Sequence, residues 1–572
     1  MFKKIDKKKI LIILGLAAIV FVASLPAFRS GIYTGHDLKF HLGRIQAIAE
    51  ELQAGQFPVR YESSAWYGHG YVSTSFYGNI FLYIPAMLYI VGLPIWRAYN
   101  IYVILVNLAT VLVAYFSFKG IFKCKKWALC ATILYTLSGY RLANLYVRTA
   151  LGEFTAMVFV PLVVYGIYRI YGCYVNEGVQ GKNFKERLRI SMPLILGATG
   201  IIQSHILTTE LVAGFIFLFA VINFKRTISV IRELLTALVT IVALNAFFLV
   251  PFIDSYRSMR LHINSKMTEA SIQPDGLYLR QIFGPITIGR GSSYPWSMED
   301  EGFLNLGLLN ILCFAVIVFT LIVVLAKKRE WFPTETAKLK YKWAMTIFGF
   351  GILAAWLSSV YFPWHLFAGE SAIDKLMSSV QYPWRYSMFQ NLFFTIAAVY
   401  GLKLLERTDP ERAHGKIIEF RNIKRVGKSS VITVVLVGLI ALGTTAVFDY
   451  TLSWGNVTVN DAKAADNWAD NLYLPKDTDR ELLKDTQIHV DEKTGEVTLP
   501  VLAYNNVHVY DDASELKWYP GDNNCIALKY SGDASKLVTR FVEPAGWRVS
   551  EIVSALAMCA CVIAMVKSRA KA

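Results

Sequence analysis

Charge is scarce in this chain. Of its 572 residues only 17% are Asp, Glu, Lys or Arg, against 55% hydrophobic, a balance that excludes an ordinary soluble enzyme of this length. Cysteine is thin as well. Cys124, Cys130, Cys173, Cys313, Cys525, Cys559 and Cys561 are scattered, and only Cys525 falls in a segment expected outside the membrane on the external side, so neither a disulfide framework there nor zinc-ligand spacing is present. The usual signatures of nucleotide and hydrolytic chemistry are missing: GxxxxGK followed by Ser or Thr, GxGxxG after a strand, HExxH and GxSxG. Their absence argues against ATP-driven transport by this chain alone. No repeat of 20 to 50 residues and no low-complexity segment is evident.

Long apolar runs are abundant. Runs able to cross a bilayer, about 20 residues each, fall near 10–28, 100–118, 127–140, 154–171, 191–206, 208–224, 233–252, 303–326, 343–360, 386–404, 430–448 and 545–566. The pattern predicts a polytopic α-helical membrane protein of about twelve spans. Alternate loops collect Lys and Arg: Lys3 to Lys9 before the first span, Lys119 to Lys126, Lys182 to Arg189, Lys225 to Arg232, Lys327 to Lys342, Arg407 to Lys428 and Lys567 to Lys571. Basic loops mark the cytoplasmic side, so both termini are expected there, in a multi-pass protein of the cell membrane. The formal charge of +16 then reports topology, with no nucleic acid partner required. The first run lacks a convincing small-x-small cleavage site and reads as a retained anchor.

The domain reading follows: 1–28 tail and first span, 29–99 first external loop, 100–448 multi-span body with an external loop at 253–302, 449–544 extracytoplasmic domain, and 545–572 final span and tail. Within the first loop, Leu42, Ile45, Ile48, Ala49 and Leu52 recur at helical spacing and predict an amphipathic helix lying on the outer leaflet, stopped near Gly55 and Pro58. The apolar stretch 79–93 reads as re-entrant or interfacial, because a full span there would invert every later basic loop. Segment 449–544 holds seventeen Asp or Glu against nine Lys or Arg. Its stretches Gln487–Val490, Glu496–Leu499 and Cys525–Tyr530, punctuated by Thr494-Gly495 and Pro520-Gly521, predict short antiparallel strands.

The ionisable residues at the expected outer surface are the candidate chemistry. Gly35-His36-Asp37-Leu38-Lys39-Phe40-His41 places a carboxylate and two imidazoles just past the first span, with Asp37 and His41 one helical turn apart. Asp37 can act as a general base on an acceptor hydroxyl or can simply cap the following helix. His36, Asp37 and His41, joined by Glu153 from another loop, could also share a divalent cation. Arg141 and Arg148 run against the outer charge bias and suit a carrier phosphate or lipid head groups. Gln381-Tyr382-Pro383-Trp384-Arg385-Tyr386 encloses a cation between aromatics, suited to a sugar phosphate or to an interfacial belt. His205, Arg257, Arg260, Arg280 and Arg290 are weaker signals.

Three of these segments, Gly35-His36-Asp37 with His41 and Arg44, Tyr146-x-Arg148 through Gly152-Glu153, and Gln381 to Arg385, resemble the GT-C superfamily of membrane glycosyltransferases over nearly the whole chain. More closely the chain looks like the bacterial YfhO-like proteins and the related membrane family labelled "6-pyruvoyl-tetrahydropterin synthase-related". The resemblance implies transfer of a sugar from a polyprenyl-phosphate carrier to a cell-envelope glycan or teichoic-acid-type acceptor on the outer face. By it, Asp37 takes the catalytic acidic position of the first loop and Glu153 the acidic position of the second, with His36 and His41 beside them. Arg44, Arg141, Arg148, His205, Trp384 and Arg385 would hold substrate and phosphate. Gly152-Glu153 stands where metal-dependent relatives have paired aspartates, so no metal or other cofactor is expected. The competing readings are a transporter or flippase of a lipid-linked glycan, which should hide ionisable groups near mid-bilayer, and a non-catalytic envelope scaffold.

Overall fold

The computed structural model describes residues 7–33, 35–176, 181, 183–263, 272–283, 314–318, 335–369, 371–407, 471–512 and 514–566, with single residues or pairs at 320, 322, 438, 444–445, 448 and 456–457. The spans expected at 303–326 and 430–448, the terminal lysines, the basic stretches 327–334 and 408–428, and Arg290 lie wholly or largely outside the described residues.

The fold is mostly helical with a small β domain towards the C-terminus. The principal helices are α1 (Lys7–Ala23), α2 (Leu38–Gln53), α3 (Tyr83–Ile90), α4 (Ile95–Phe122), α5 (Lys125–Thr136), α6 (Gly139–Tyr146), α7 (Leu151–Ala156), α8 (Val160–Asn176), α9 (Phe184–Ile202), α10 (Ile206–Ile222), α11 (Ile231–Ser258), α12 (Glu335–Leu357), α13 (Ser387–Arg407) and α14 (Ala545–Val566). Among the described residues four stretches are long and apolar enough to cross a membrane: Ile95–Phe122, Leu151–Gly172, Ile231–Ser258 and Ala545–Met565. Two shorter apolar helices, Lys9–Ala23 and Ile206–Ile222, accompany them. Twelve full spans are therefore not what the described helices display, for local reasons. α5 has 12 residues and stops before Ser138, α9 opens on Lys185, Glu186, Arg187 and Arg189, and α12 carries four charged residues in its first eight.

The spanning helices are inside-out by the standards of a soluble protein. On α4 the large residues Leu105, Leu108, Leu112 and Phe116 are exposed along one stripe, while Asn107, Thr110 and Ser117 are buried on the other. α11 and α14 repeat the pattern with Leu238, Val239 and Val242, and with Ile552, Leu556 and Ile563. Such stripes are stable only where lipid covers them. α4 packs on α5 and α8, α9 joins α8 to α11, α11 holds α14, and α13 lies between α12 and α5.

One expectation is corrected here. α2 does not lie on a leaflet surface, because Leu38, Leu42, Ile45 and Ile48 are buried on one side and Arg44, Gln46 and Glu51 on the other. Its polar side is covered by the 54–83 chain, where Asn79 accepts from Arg44 at 2.7 Å and Ser63 N donates to Glu51 at 2.7 Å. α3, in the 79–93 stretch, has eight residues, about 12 Å of helix.

The β domain has a four-stranded antiparallel sheet in the order β3 (His489–Asp491), β4 (Glu496–Leu502), β8 (Cys525–Lys529), β7 (Tyr519–Pro520). A three-stranded sheet in the order β6 (Ser514–Leu516), β5 (Val507–Asp511), β9 (Val538–Phe541) completes it. Val497 pairs with Leu528 and Leu499 with Ile526, putting four apolar side chains on one face. That face shares a core with Tyr61, Trp66, Tyr71 and Phe76 of the first loop. A two-residue strand β1 (Ile32–Tyr33) pairs antiparallel with β2 (Asn456–Val457) directly before Gly35.

Candidate functional site

Gly35 sets the site. A Cβ there would lie 2.6 Å from the Val147 carbonyl oxygen and 2.5 Å from the Thr149 side chain, so only glycine lets the loop rest against the 147–149 segment. Two residues on, the Asp37 backbone N–H donates to the Arg148 carbonyl at 3.0 Å. Asp37 stands at the N-cap of α2 without a side-chain capping bond. Its carboxylate is partly exposed and close enough to attract the Arg148 guanidinium.

The second segment turns back on itself at Thr149, whose φ of +52° is costly for a β-branched residue. The turn brings Glu153, on α7, back to Arg148. The Arg148 guanidinium donates to Glu153 at 2.9 Å and to the Asn144 oxygen at 2.5 Å. Glu153 also accepts from the Tyr140 hydroxyl at 2.6 Å and from Asn144 at 3.2 Å. Gly152 permits the neighbouring approach, since a Cβ there would meet the Ser204 carbonyl at 2.9 Å and the His205 ring at 3.2 Å.

The third segment supplies a second guanidinium. Arg385 Nε lies 3.7 Å from Glu153, and its Nη1 donates to the Val380 carbonyl at 2.7 Å and to Gln381 at 2.9 Å. The rings of Tyr382 and Trp384 stack at 4.4 Å. Arg148 sits 6.0 Å from the Trp384 ring centroid, and the buried Trp384 Nε1 has no hydrogen-bond partner among the described residues.

His41, Arg44 and His205 close the inner side, each near enough to influence the others electrostatically. Arg44 spans Asn79 and the Tyr77 ring, 4.3 Å from its centroid. Burial, then the adjacent Arg44, hold the His41 imidazole well below its ordinary pKa, so it is neutral. His205 Nδ1 meets the Thr208 hydroxyl at 2.8 Å.

The structure thus brings Asp37, His41, Arg44, Arg148, Glu153, His205, Trp384 and Arg385 to one end of the helical body. Two candidates stand apart. His36 points to solvent. Arg141, fully buried, donates to Thr136 O, Asn107 and Thr110 at 3.0, 2.8 and 2.8 Å, which commits its guanidinium to joining α4, α5 and α6. Among the described residues no group of three His, Cys, Asp or Glu side chains is placed to hold a metal ion. Tyr140, Asn144 and Asn79 belong to the site and carried no distinct signal beyond Tyr140, Asn144 and Arg148 recurring at four-residue spacing.

Arg148 and Arg385, 6% and 8% exposed, share one carboxylate, Glu153, at 2%. Buried charge is stable when matched; among the described residues Glu153 is the buried carboxylate paired with both guanidiniums, and the partly exposed Asp37 supplies a second negative charge near Arg148.

No family model matches the chain. An uncharacterized protein of Lactococcus lactis subsp. cremoris is 25% identical over 267 residues, 45% of this chain and 41% of that protein. Among solved structures, the apo Archaeoglobus fulgidus oligosaccharyltransferase aligns over 79% of this chain at 12% identity with a TM-score of 0.44. The same organism's oligosaccharyltransferase AglB, in complex with an inhibitory peptide and a dolichol-phosphate, aligns over 79% at 11% identity with a TM-score of 0.45. The chain spans 57% of each of these structures and less than half of the Lactococcus protein.

Proposed function

We propose that this chain is a membrane glycosyltransferase that moves a sugar from a polyprenyl-phosphate carrier to a cell-envelope glycan or teichoic-acid-type acceptor on the outer face. The supporting observation is the placement of an accessible carboxylate, Asp37, beside two buried guanidiniums that, among the described residues, share one buried carboxylate, Glu153. Asp37 takes the proton of an acceptor hydroxyl as that oxygen bonds to the anomeric carbon. The bond from that carbon to the carrier phosphate breaks, its electron pair passes to the phosphate oxygen, and Arg148 with Arg385 stabilises the departing anion. Attack opposite the leaving group inverts the anomeric centre.

Glu153 has a different part in this reading from the catalytic one expected of it. Three donors, Tyr140, Asn144 and Arg148, already bond to its oxygens and Arg385 pairs with it at 3.7 Å, so it positions both arginines and touches no substrate. Trp384 and Tyr382 offer stacked faces for a sugar ring.

The test is glycan analysis of the envelope from cells lacking this protein and re-supplied with wild type, Asp37→Asn or Asp37→Glu. Asp37→Asn is expected to insert normally and lower modification by about 10²-fold or more, with partial recovery in Asp37→Glu. Wild-type modification by Asp37→Asn removes the base. A His36→Cys variant should react with a membrane-impermeant maleimide in intact cells; labelling only after permeabilisation would place the site on the wrong side for an external donor.

A further inference from the structure

Beneath the site, running away from it, the helices leave a cavity of ≈ 340 Å³ between α8, α10, α12 and α13. Its upper end is closed by Phe215, whose ring lies 5.0 Å from those of both Phe389 and Phe393 and 6.3 Å from Tyr386. Its far end carries Lys123, Lys340 and Lys403, and no acidic residue is among its described lining. Along α13 the cavity extends from Phe389 to Lys403, about 20 Å of helix.

We propose that this slot binds one lipid with an anionic phosphate head group, its hydrocarbon chain lying between the helices and its head among the three lysines. The walls are mostly apolar, with Val163, Ile167, Ile216 and Ile347 among the lining and Tyr168, Tyr171, Trp343 and Tyr400 adding aromatic rings. The lysines sit where three elements end or begin: Lys123 in the left-handed turn after α4, with φ +54°, Lys340 in the second turn of α12, and Lys403 near the end of α13. Lys403 is held there by donating to the Phe122 carbonyl at 2.6 Å. Three ammonium groups at the mouth of a greasy slot match a phosphate head on a long chain, and basic pockets between spanning helices recognise such heads. Arg385 precedes α13 whereas Lys403 lies near its far end, about 27 Å further along the helix, so the lysine site is distinct from the Arg148–Arg385 pocket and the bound lipid from the sugar donor. The inference stands whether or not the chain is a transferase.

The test uses the full chain in nanodiscs of equal parts phosphatidylcholine and phosphatidylglycerol, with retained lipid identified by native mass spectrometry. Wild type is expected to keep one phosphatidylglycerol at about tenfold preference or more. Lys123→Glu with Lys340→Glu should abolish the preference, and Ile216→Trp, which fills the slot, should abolish retention of either lipid. Equal retention of both lipids by wild type, or a preference unchanged in the lysine variant, overturns the site. Because the readout is bound lipid and not glycan, failure here leaves the transferase reading intact, and failure of the Asp37 test leaves this one intact.

Discussion

Glu153 and Arg148 look interchangeable as halves of one ion pair, but their surroundings make opposite demands. Glu153→Gln removes the carboxylate that, among the described residues, lies between two buried guanidiniums, leaving like charges facing each other. Loss of about 3 kcal/mol or more of stability is expected, read as a lower midpoint in thermal unfolding of the detergent-solubilised protein. Arg148→Lys keeps the charge but replaces the planar guanidinium, whose Nη1 donates to both Asn144 and Glu153, by a more strongly hydrated ammonium on a flexible stem. Stability should fall by under about 1 kcal/mol while transfer activity drops about 10²-fold; equal losses of both in both variants would show that the pair is structural alone. Glu62 offers a pH test in the same loop system. Burial raises its carboxyl from 4.5 to about 7, against the lowering effects of Ser73, Arg44 and the Thr74 N–H. The folded state therefore binds the proton more tightly than the unfolded one, so stability falls as pH rises from about 4.5 to 7, by about 3 kcal/mol in all. Wild type should melt lower at pH 8 than at pH 5, and Glu62→Gln should flatten that difference. Asp37, Arg148, Glu153 and Arg385 were legible in the sequence because charge is rare and misplaced in so apolar a chain. Tyr140, Asn144 and Asn79 were not, since neutral hydrogen-bonding residues are common and only the fold shows Tyr140 and Asn144 aimed at Glu153 and Asn79 at Arg44.

Elements were readable where period and length agreed, and misread where a partner decided the outcome. The helical spacing of α2 was visible, yet an apolar stripe opposite polar residues looks the same whether water, lipid head groups or another chain segment covers the polar side. Arg44 and Glu51 resolve it by bonding to Asn79 and Ser63. The strands of the β domain showed in their alternation, and β4 pairs with β8 as that alternation requires. The junction from β9 to α14 was silent in the sequence. There Glu543 is approached by Arg60 at 3.7 Å and Arg548 at 3.3 Å, and Arg60, itself buried, also donates to the Phe247 carbonyl. Burial raises the Glu543 carboxyl to about 7, so part of the pairing is lost below neutrality. Glu543→Ala should cost about 2 kcal/mol at pH 8, because Arg60 stays buried with fewer partners. Glu543→Gln should cost less, and a neutral result for both would assign the anchoring to the contacts of Arg60 with Phe247 and Glu551.

At the scale of the whole molecule the β domain shares a core with the first loop and the C-terminal end of α11, and its stability is expected to be shared with the helical body through them. Composition separates them sharply, an acidic segment against a basic, lipid-covered bundle, which from sequence suggests two independent units. Packing contradicts that suggestion. Tyr473, at the entrance to the β domain, stacks on Phe76 at 4.7 Å and 16°, and its backbone N–H donates to the Tyr71 hydroxyl at 3.0 Å. Tyr504 donates in turn to the Tyr473 carbonyl at 3.0 Å, and Trp547 of α14 donates to Asp254 of α11 at 2.9 Å, so the chain leaving the domain is fastened to the bundle as firmly as the chain entering it. Tyr71 and Phe76 belong to the same loop that covers Arg44, which couples the domain to the inner wall of the site through one continuous aromatic cluster. Tyr473→Ala is expected to destabilise by about 3 kcal/mol and to lower a single cooperative transition, monitored together by proteolysis of the β domain and by thermal unfolding of the helices. Two separate transitions, with only the β domain shifted, would show that the shared core does not transmit stability. The same variant should also loosen the Asn79–Arg44 contact, so a fall in transfer activity at temperatures well below melting is the accompanying result.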